Sequence, residues 1–210
     1  MAGTPVLIGN SSAGGNSCEA VPFVISLPVG KAPSFDGPIN TCWVVNYTVG
    51  ADRISFSTPA APNAEGERWV WTPADGLRSD GRVAFAPASD KGWADLRDRS
   101  LEHPMELFDN GAVSVRLAQL LGDQKPQALT AMSGPGGGRY EGDRFIGEVC
   151  QWHNCPSSGG ITVVDIPGKR VFIAWKPDGK KIEVRPPVGE WPSEVRRPLA
   201  TWAQTFEPKR

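Results

Sequence analysis

Apolar and polar positions follow one another in short runs through the first half of the chain. The runs end at glycine, proline, asparagine or aspartate, which is the pattern of strands joined by turns. Residues 20–27 (Ala-Val-Pro-Phe-Val-Ile-Ser-Leu) predict a strand, with Pro22 near its start where an edge strand tolerates a missing N–H. Residues 30–40 are a loop punctuated by Pro and Gly, and residues 42–49 (Cys-Trp-Val-Val-Asn-Tyr-Thr-Val) are strongly β-prone up to a turn at Gly50-Ala51-Asp52. Residues 53–58 alternate and put Ile54 and Phe56 on one face. After a Pro- and Ala-rich loop over 59–67, residues 68–72 and 81–87 predict two more strands. Together these make a β-rich N-terminal region, residues 18–88. It follows a flexible lead-in, residues 1–17, whose Gly, Ser and Asn show no period.

The period changes to helical between residues 90 and 123. Ser89 or Asp90 caps a short helix through Trp93 and Leu96, and past Pro104 either Asp109 or Asn110 caps a longer one. Val113, Leu117, Leu120 and Leu121 fall at i, i+4, i+7 and i+8 on one helical face, and Gly122 supplies the stop. That face needs a sheet to cover. Residues 144–149, 161–166 and 171–175 supply strands, with Pro167-Gly168 as a turn, and Asp178-Gly179 is a hairpin signal leading into 182–184. Residues 134–138 are glycine-rich but lack the Lys-Ser/Thr of a phosphate loop and precede no helix, so they predict a flexible connector. The order of elements predicts an α+β fold over residues 89–210, an antiparallel β-sheet with a helix packed on one face. The Pro-rich tail, from Pro186 through Trp191 to Trp202, has no place in this pattern and either wraps or frays.

Composition narrows the class. With 210 residues, 40% of them apolar, the chain can bury a sizeable core, and 24 Gly with 20 Pro favour many turns. A net charge of −1 with interspersed signs argues against a nucleic-acid or anionic-membrane surface. No stretch is long and apolar enough to span a bilayer. The N-terminus has no charged region before its short apolar run, so it does not read as a signal peptide.

Four cysteines form an even set that fits two disulfides in an oxidising compartment. Three pairings are possible on paper, and the natural choice joins Cys18 to Cys42 and Cys150 to Cys155. Cysteine usage alone then suggests a mature periplasmic or secreted protein whose leader is replaced by an initiator Met. A cytosolic protein with four free thiols is the competing reading. The stretch Cys150-Gln151-Trp152-His153-Asn154-Cys155 becomes a stapled loop if its cysteines are joined, and it displays one of the two histidines in the chain. Closing so small a ring constrains the unfolded chain by about 2 kcal/mol, and a preorganised loop lowers the ordering cost of binding. Trp152 reads either as a hydrophobic anchor for a partner or as a core residue. His103, the other histidine, precedes Pro104 at an apparent boundary and reads as a surface or capping residue.

Other chemistries find less support. A metal site on Cys150, His153 and Cys155 would crowd its ligands into one loop with no second cysteine pair nearby in sequence, and a thiol-redox centre more typically shows Cys-x-x-Cys at a helix start. Two histidines give no arguable Ser-His-Asp set. Asn10-Ser11-Ser12 and Asn46-Tyr47-Thr48 match the glycosylation acceptor pattern, which recurs by chance. No catalytic residue, cofactor or metal is called for.

The loop, followed by Ile161-Thr162-Val163-Val164 and a later strand containing Trp175, resembles the Ivy family of periplasmic inhibitors of vertebrate-type lysozyme. The resemblance covers roughly residues 104–185 and includes the helix from Val113 to Leu121. Family members carry a loop of the pattern Cys-Lys-Pro-His-Asp-Cys on an α+β fold. Here the two cysteines and the histidine coincide, while Gln151, Trp152 and Asn154 stand where the family has Lys, Pro and Asp. The resemblance implies that His153 enters the active-site cleft of a c-type lysozyme as its partner. An alternative is a noncatalytic cell-envelope binding protein whose N-terminal half carries the function. A homodimer is left open.

Overall fold

The computed structural model describes every residue except 2, 13, 15–17 and 208–210. The chain divides into two compact units, Met1–Phe85 and Ala86–Arg210.

The first unit contains two antiparallel sheets. Strands β1 (Val6–Ser11), β2 (Val21–Ser26) and β3 (Ser34–Asp36) form one in that order; β4 (Asn46–Val49), β5 (Ile54–Ser57), β6 (Gly66–Thr72) and β7 (Gly76–Val83) form the other. Ile54 and Phe56, on one face of β5, join Val24, Ile39 and Trp71 in a shared core. The Trp71 indole N–H donates to the Asp36 carboxylate at 2.9 Å, so a large core side chain reaches β3 without leaving a polar atom unpaired. Cys18 and Cys42 are joined, with Cα atoms 4.3 Å apart.

Several expectations for this unit are corrected. Residues 6–11 of the supposed lead-in are β1, paired with β2 along its whole length, because the short apolar run Val6-Leu7-Ile8 finds a partner strand; residues 2, 13 and 15–17 of that lead-in lie outside the described residues. β2 is the middle strand, not an edge. Pro22 is accommodated because β3 pairs only with Val24–Ser26, and at Pro22 the carbonyl is used, accepting from the Ile39 N–H at 3.0 Å. The strand expected from residue 42 starts at Asn46, after the disulfide, and the last strand runs from Gly76 to Val83 rather than over 81–87.

The second unit is mixed α and β. Single 3₁₀ turns, Asp95–Asp98 and Pro104–Phe108, stand where the first capped helix was expected and just beyond it. Asn110 caps α1 (Gly111–Leu121) by accepting from the Val113 N–H at 3.2 Å, and Val113, Leu117 and Leu121 are buried. Past Gly122 the chain enters α2 (Lys125–Ala131), where Pro126 occupies a first-turn position that needs no N–H. Then comes a meander of five antiparallel strands: β8 (Gly136–Glu141), β9 (Arg144–Cys150), β10 (Gly159–Asp165), β11 (Arg170–Lys176) and β12 (Glu183–Arg185). Central β10 is buried at every position, which matches its continuous run of β-branched residues.

Two further corrections concern this unit. The glycine-rich connector is strand β8, and its glycines serve close approach: a Cβ on Gly136 would meet the Glu148 carbonyl oxygen at 2.5 Å, and one on Gly138 would run into the Phe145 ring. The Pro-rich tail becomes α3 (Ser193–Gln204), with Val195, Leu199 and Trp202 on one face. These share a buried cluster with Trp191 and with Ile146, Ile161, Val163, Phe172 and Ala174 of the sheet. Pro198 inside α3 forfeits one backbone hydrogen bond, a loss that the buried face outweighs. Trp202→Ala is therefore expected to cost about 3–5 kcal/mol in denaturant unfolding of the second unit. A change below about 0.5 kcal/mol, as for an exposed site, would mean that the tail frays after all.

Candidate functional site

The β9–β10 pairing positions the stapled loop. Cys150 closes the register opposite Gly159, and the chain between them reverses direction. Cys150 and Cys155 are joined, with Cα atoms 4.8 Å apart. The loop satisfies much of its own backbone: Gln151 N–H donates to Ser158 O (3.1 Å), Asn154 N–H to Gln151 O (3.0 Å), and Ser158 N–H to Asn154 O (3.0 Å). Its end is tied to β11, since the Ser158 hydroxyl donates to Lys176 O at 2.9 Å and the Lys176 ammonium donates to Ser157 O at 3.1 Å.

A second strap holds the other side. Gly134 N–H donates to Cys150 O at 2.8 Å, and Cys150 N–H donates to Pro135 O at 3.0 Å. A Cβ at Gly134 would sit 2.5 Å from the Trp152 backbone nitrogen and 2.8 Å from Cys150 O, so only glycine lets the two backbones approach this closely. Nothing in the sequence pattern marks Gly134, because it lies in the run that reads as a connector. The remaining histidine belongs to this strap. Met105 N–H donates to His103 Nδ1 at 3.2 Å, capping the 3₁₀ turn, and Nε2 lies 3.3 Å from Gly134 O; the neutral tautomer with its proton on Nε2 serves both contacts.

On this base His153 and Trp152 project outward. His153 has φ 60°, in the left-handed region, and is exposed; among the described residues its imidazole has no hydrogen-bond partner. Trp152 is 54% exposed, so it is not a core residue, and its ring centroid lies 5.9 Å from that of His153. Gln151 and Asn154 are half-buried and hold the loop through their backbones. Because Cys150 and Cys155 are bonded to each other, neither offers a thiolate to a metal or to redox exchange while the bridge is intact. What remains is an exposed imidazole and an exposed indole on a disulfide-closed loop.

Comparison with known proteins agrees with the division of the chain. Residues 1–84 match the Y4bG N-terminal domain, and residues 112–206 match the family described as Inhibitor of vertebrate lysozyme (Ivy). The chain is 40% identical over 205 residues to "Uncharacterized protein y4bG" of Sinorhizobium fredii (strain NBRC 101917 / NGR234), an alignment covering 98% of this chain and 76% of that protein. The chain belongs to the y4bG family. Within this y4bG-family chain the Ivy segment is partial. It begins inside α1, later than residue 104, and runs past 185 through α3, so the tail lies inside the family match. No solved structure matches the chain.

Gly134→Ala tests the strap. The new methyl meets backbone on both sides, so the loop must shift, and an overpacking cost of about 1–3 kcal/mol is expected as a lower melting temperature. Unchanged stability, together with unchanged amide signals for residues 150–158, would show that the approach of the two backbones is not needed.

Proposed function

We propose that this protein is an exported inhibitor of a c-type lysozyme, acting through the stapled loop that presents His153. The observation that carries this reading is the exposed imidazole, without a hydrogen-bond partner among the described residues, on a disulfide-closed loop inside a segment that matches the Ivy family. The chemistry is complementary. A retaining glycosidase of the lysozyme type holds two carboxyl groups about 5 Å apart, and an imidazolium carries N–H donors on opposite sides of its ring. One His153 side chain bridges both carboxyls and occupies the space where a glycosidic bond would be cleaved.

The fold supports such use by giving the loop a rigid base. We infer that α3 covers the sheet face bearing Ile161 and Phe172, while the buried stripe of α1 covers the face bearing Thr162 and Ile173. Export follows from the same reading, since two disulfides persist in an oxidising compartment. No helix among the described residues is long and apolar enough to cross a membrane. A second reading, a noncatalytic envelope-binding protein, draws support from the first unit, which has its own core, its own disulfide and its own family match.

Two outcomes test the inhibitor reading. The wild-type protein is expected to inhibit c-type lysozyme, and His153→Ala to lose at least tenfold in inhibition at unchanged melting temperature; a wild type without inhibition turns attention to residues 1–85.

A further inference from the structure

A cavity of about 380 Å³ is lined by Arg97, Arg99, Tyr140, Asp143, Ile166 and Pro167. It stands by the β8–β9 and β10–β11 turns, at the end of the sheet where Arg144 pairs with Asp165. The stapled loop leaves the opposite end, roughly 20 Å away at the rise of a β-strand. The two places are therefore separate.

Two guanidiniums, those of Arg97 and Arg99, line this cavity. Arg99 follows the 3₁₀ turn Asp95–Asp98 and has φ 58°, a conformation that a non-glycine side chain adopts at a cost. Its guanidinium carbon lies 5.0 Å from the centre of the Tyr140 ring, and the Tyr140 hydroxyl accepts from the Leu101 N–H at 3.3 Å. Stacking on an aromatic face orients a guanidinium without using its donors. Neither Arg97 nor Arg99 forms an ion pair among the described residues, whereas Arg139, Arg144, Arg170 and Arg185 all do. The adjacent Asp98 is engaged elsewhere: the Ser100 N–H and hydroxyl donate to it at 3.0 and 2.9 Å and hold its carboxyl below the usual range. An adjoining cavity shares Arg97, Ile166 and Pro167 and adds Lys169, another non-glycine residue with positive φ, 49°. Asp143 also lines the first cavity and is its one carboxylate.

We propose that this cavity binds a small ligand bearing an oxyanion, a carboxylate or a phosphate, held between the guanidiniums of Arg97 and Arg99 beside the Tyr140 ring. The planar forks supply paired donors that such a group accepts. Asp143 limits the charge tolerated and offers an acceptor to a hydroxyl or amino group on the same ligand. The size of the cavity suits a metabolite-sized molecule.

Titration of the full-length protein with sodium phosphate, and separately with sodium succinate, tests this at constant ionic strength. The readouts are the arginine Nε–H signals and the melting temperature. Saturable shifts at Arg97 and Arg99 with one anion are expected, and which anion saturates identifies the ligand chemistry. Arg99→Gly should lose at least tenfold in affinity without a lower melting temperature, since glycine adopts φ 58° freely. Arg97→Gln, which leaves the Arg99–Tyr140 contact in place, should lose affinity as well, and Arg116→Gln on α1 should not. Linear, unsaturated drift with both anions in the wild type overturns the proposal. So does full affinity in Arg97→Gln, whatever the fate of Arg99→Gly.

Discussion

Seven residues of β9 face seven of β10 without a shift, from Arg144 opposite Asp165 to Cys150 opposite Gly159, and the rest of the second unit depends on that register. A slip of one residue would turn every side chain to the other face. It is resisted because β10 is buried on both faces. The Asp165 carboxylate further pins the β10–β11 turn, accepting from the Arg170 guanidinium at 2.6 Å and from the Gly168 N–H at 3.3 Å. With the register set, the β9–β10 connection leaves from one end of the sheet. The β8–β9 and β10–β11 turns gather at the other, so two surfaces of different chemistry are kept apart by the length of a strand.

The stapled loop balances strain against closure. Holding His153 in the left-handed region costs about 1–2 kcal/mol, and a six-residue disulfide ring restrains the unfolded chain by about 2 kcal/mol. The two effects are of the same size, so the bridge offsets the strain held at His153. Gly134 and the Ser157–Ser158 contacts with Lys176 hold the two ends of the ring. His103 completes the base through the Gly134 carbonyl, so both histidines belong to one substructure: one supports it, and the other is exposed on it.

Periodicity makes the regular, amphipathic parts of the fold legible. The stripe Val113, Leu117 and Leu121 marks α1, with Asp109 or Asn110 as its cap and Gly122 as its end, and the β-branched runs around Ile161 and Val171 mark β10 and β11. The misses share a cause. β8 is hidden because its glycines leave room for the Phe145 ring and for His103, a tertiary demand that leaves no apolar period. α3 is hidden because Pro186, Pro187, Pro192 and Pro198 mask the stripe Val195, Leu199 and Trp202, which becomes decisive once it meets the sheet. β1 is short and half-buried, and only its pairing with β2 defines it. At the site, the cysteine spacing marks the loop in advance, whereas Gly134 and Lys176 come to it from distant segments with no sequence signature.

In the proposed complex His153 is a doubly donating imidazolium between two carboxyls, and its ring nitrogens report this state directly. Ring nitrogen shifts of His153 are recorded for the free protein and for its complex with c-type lysozyme near neutral pH. Both ring nitrogens are expected to be protonated in the complex, with both N–H protons protected from solvent exchange. A His153 ring whose shifts do not change on adding saturating lysozyme would contradict this expectation.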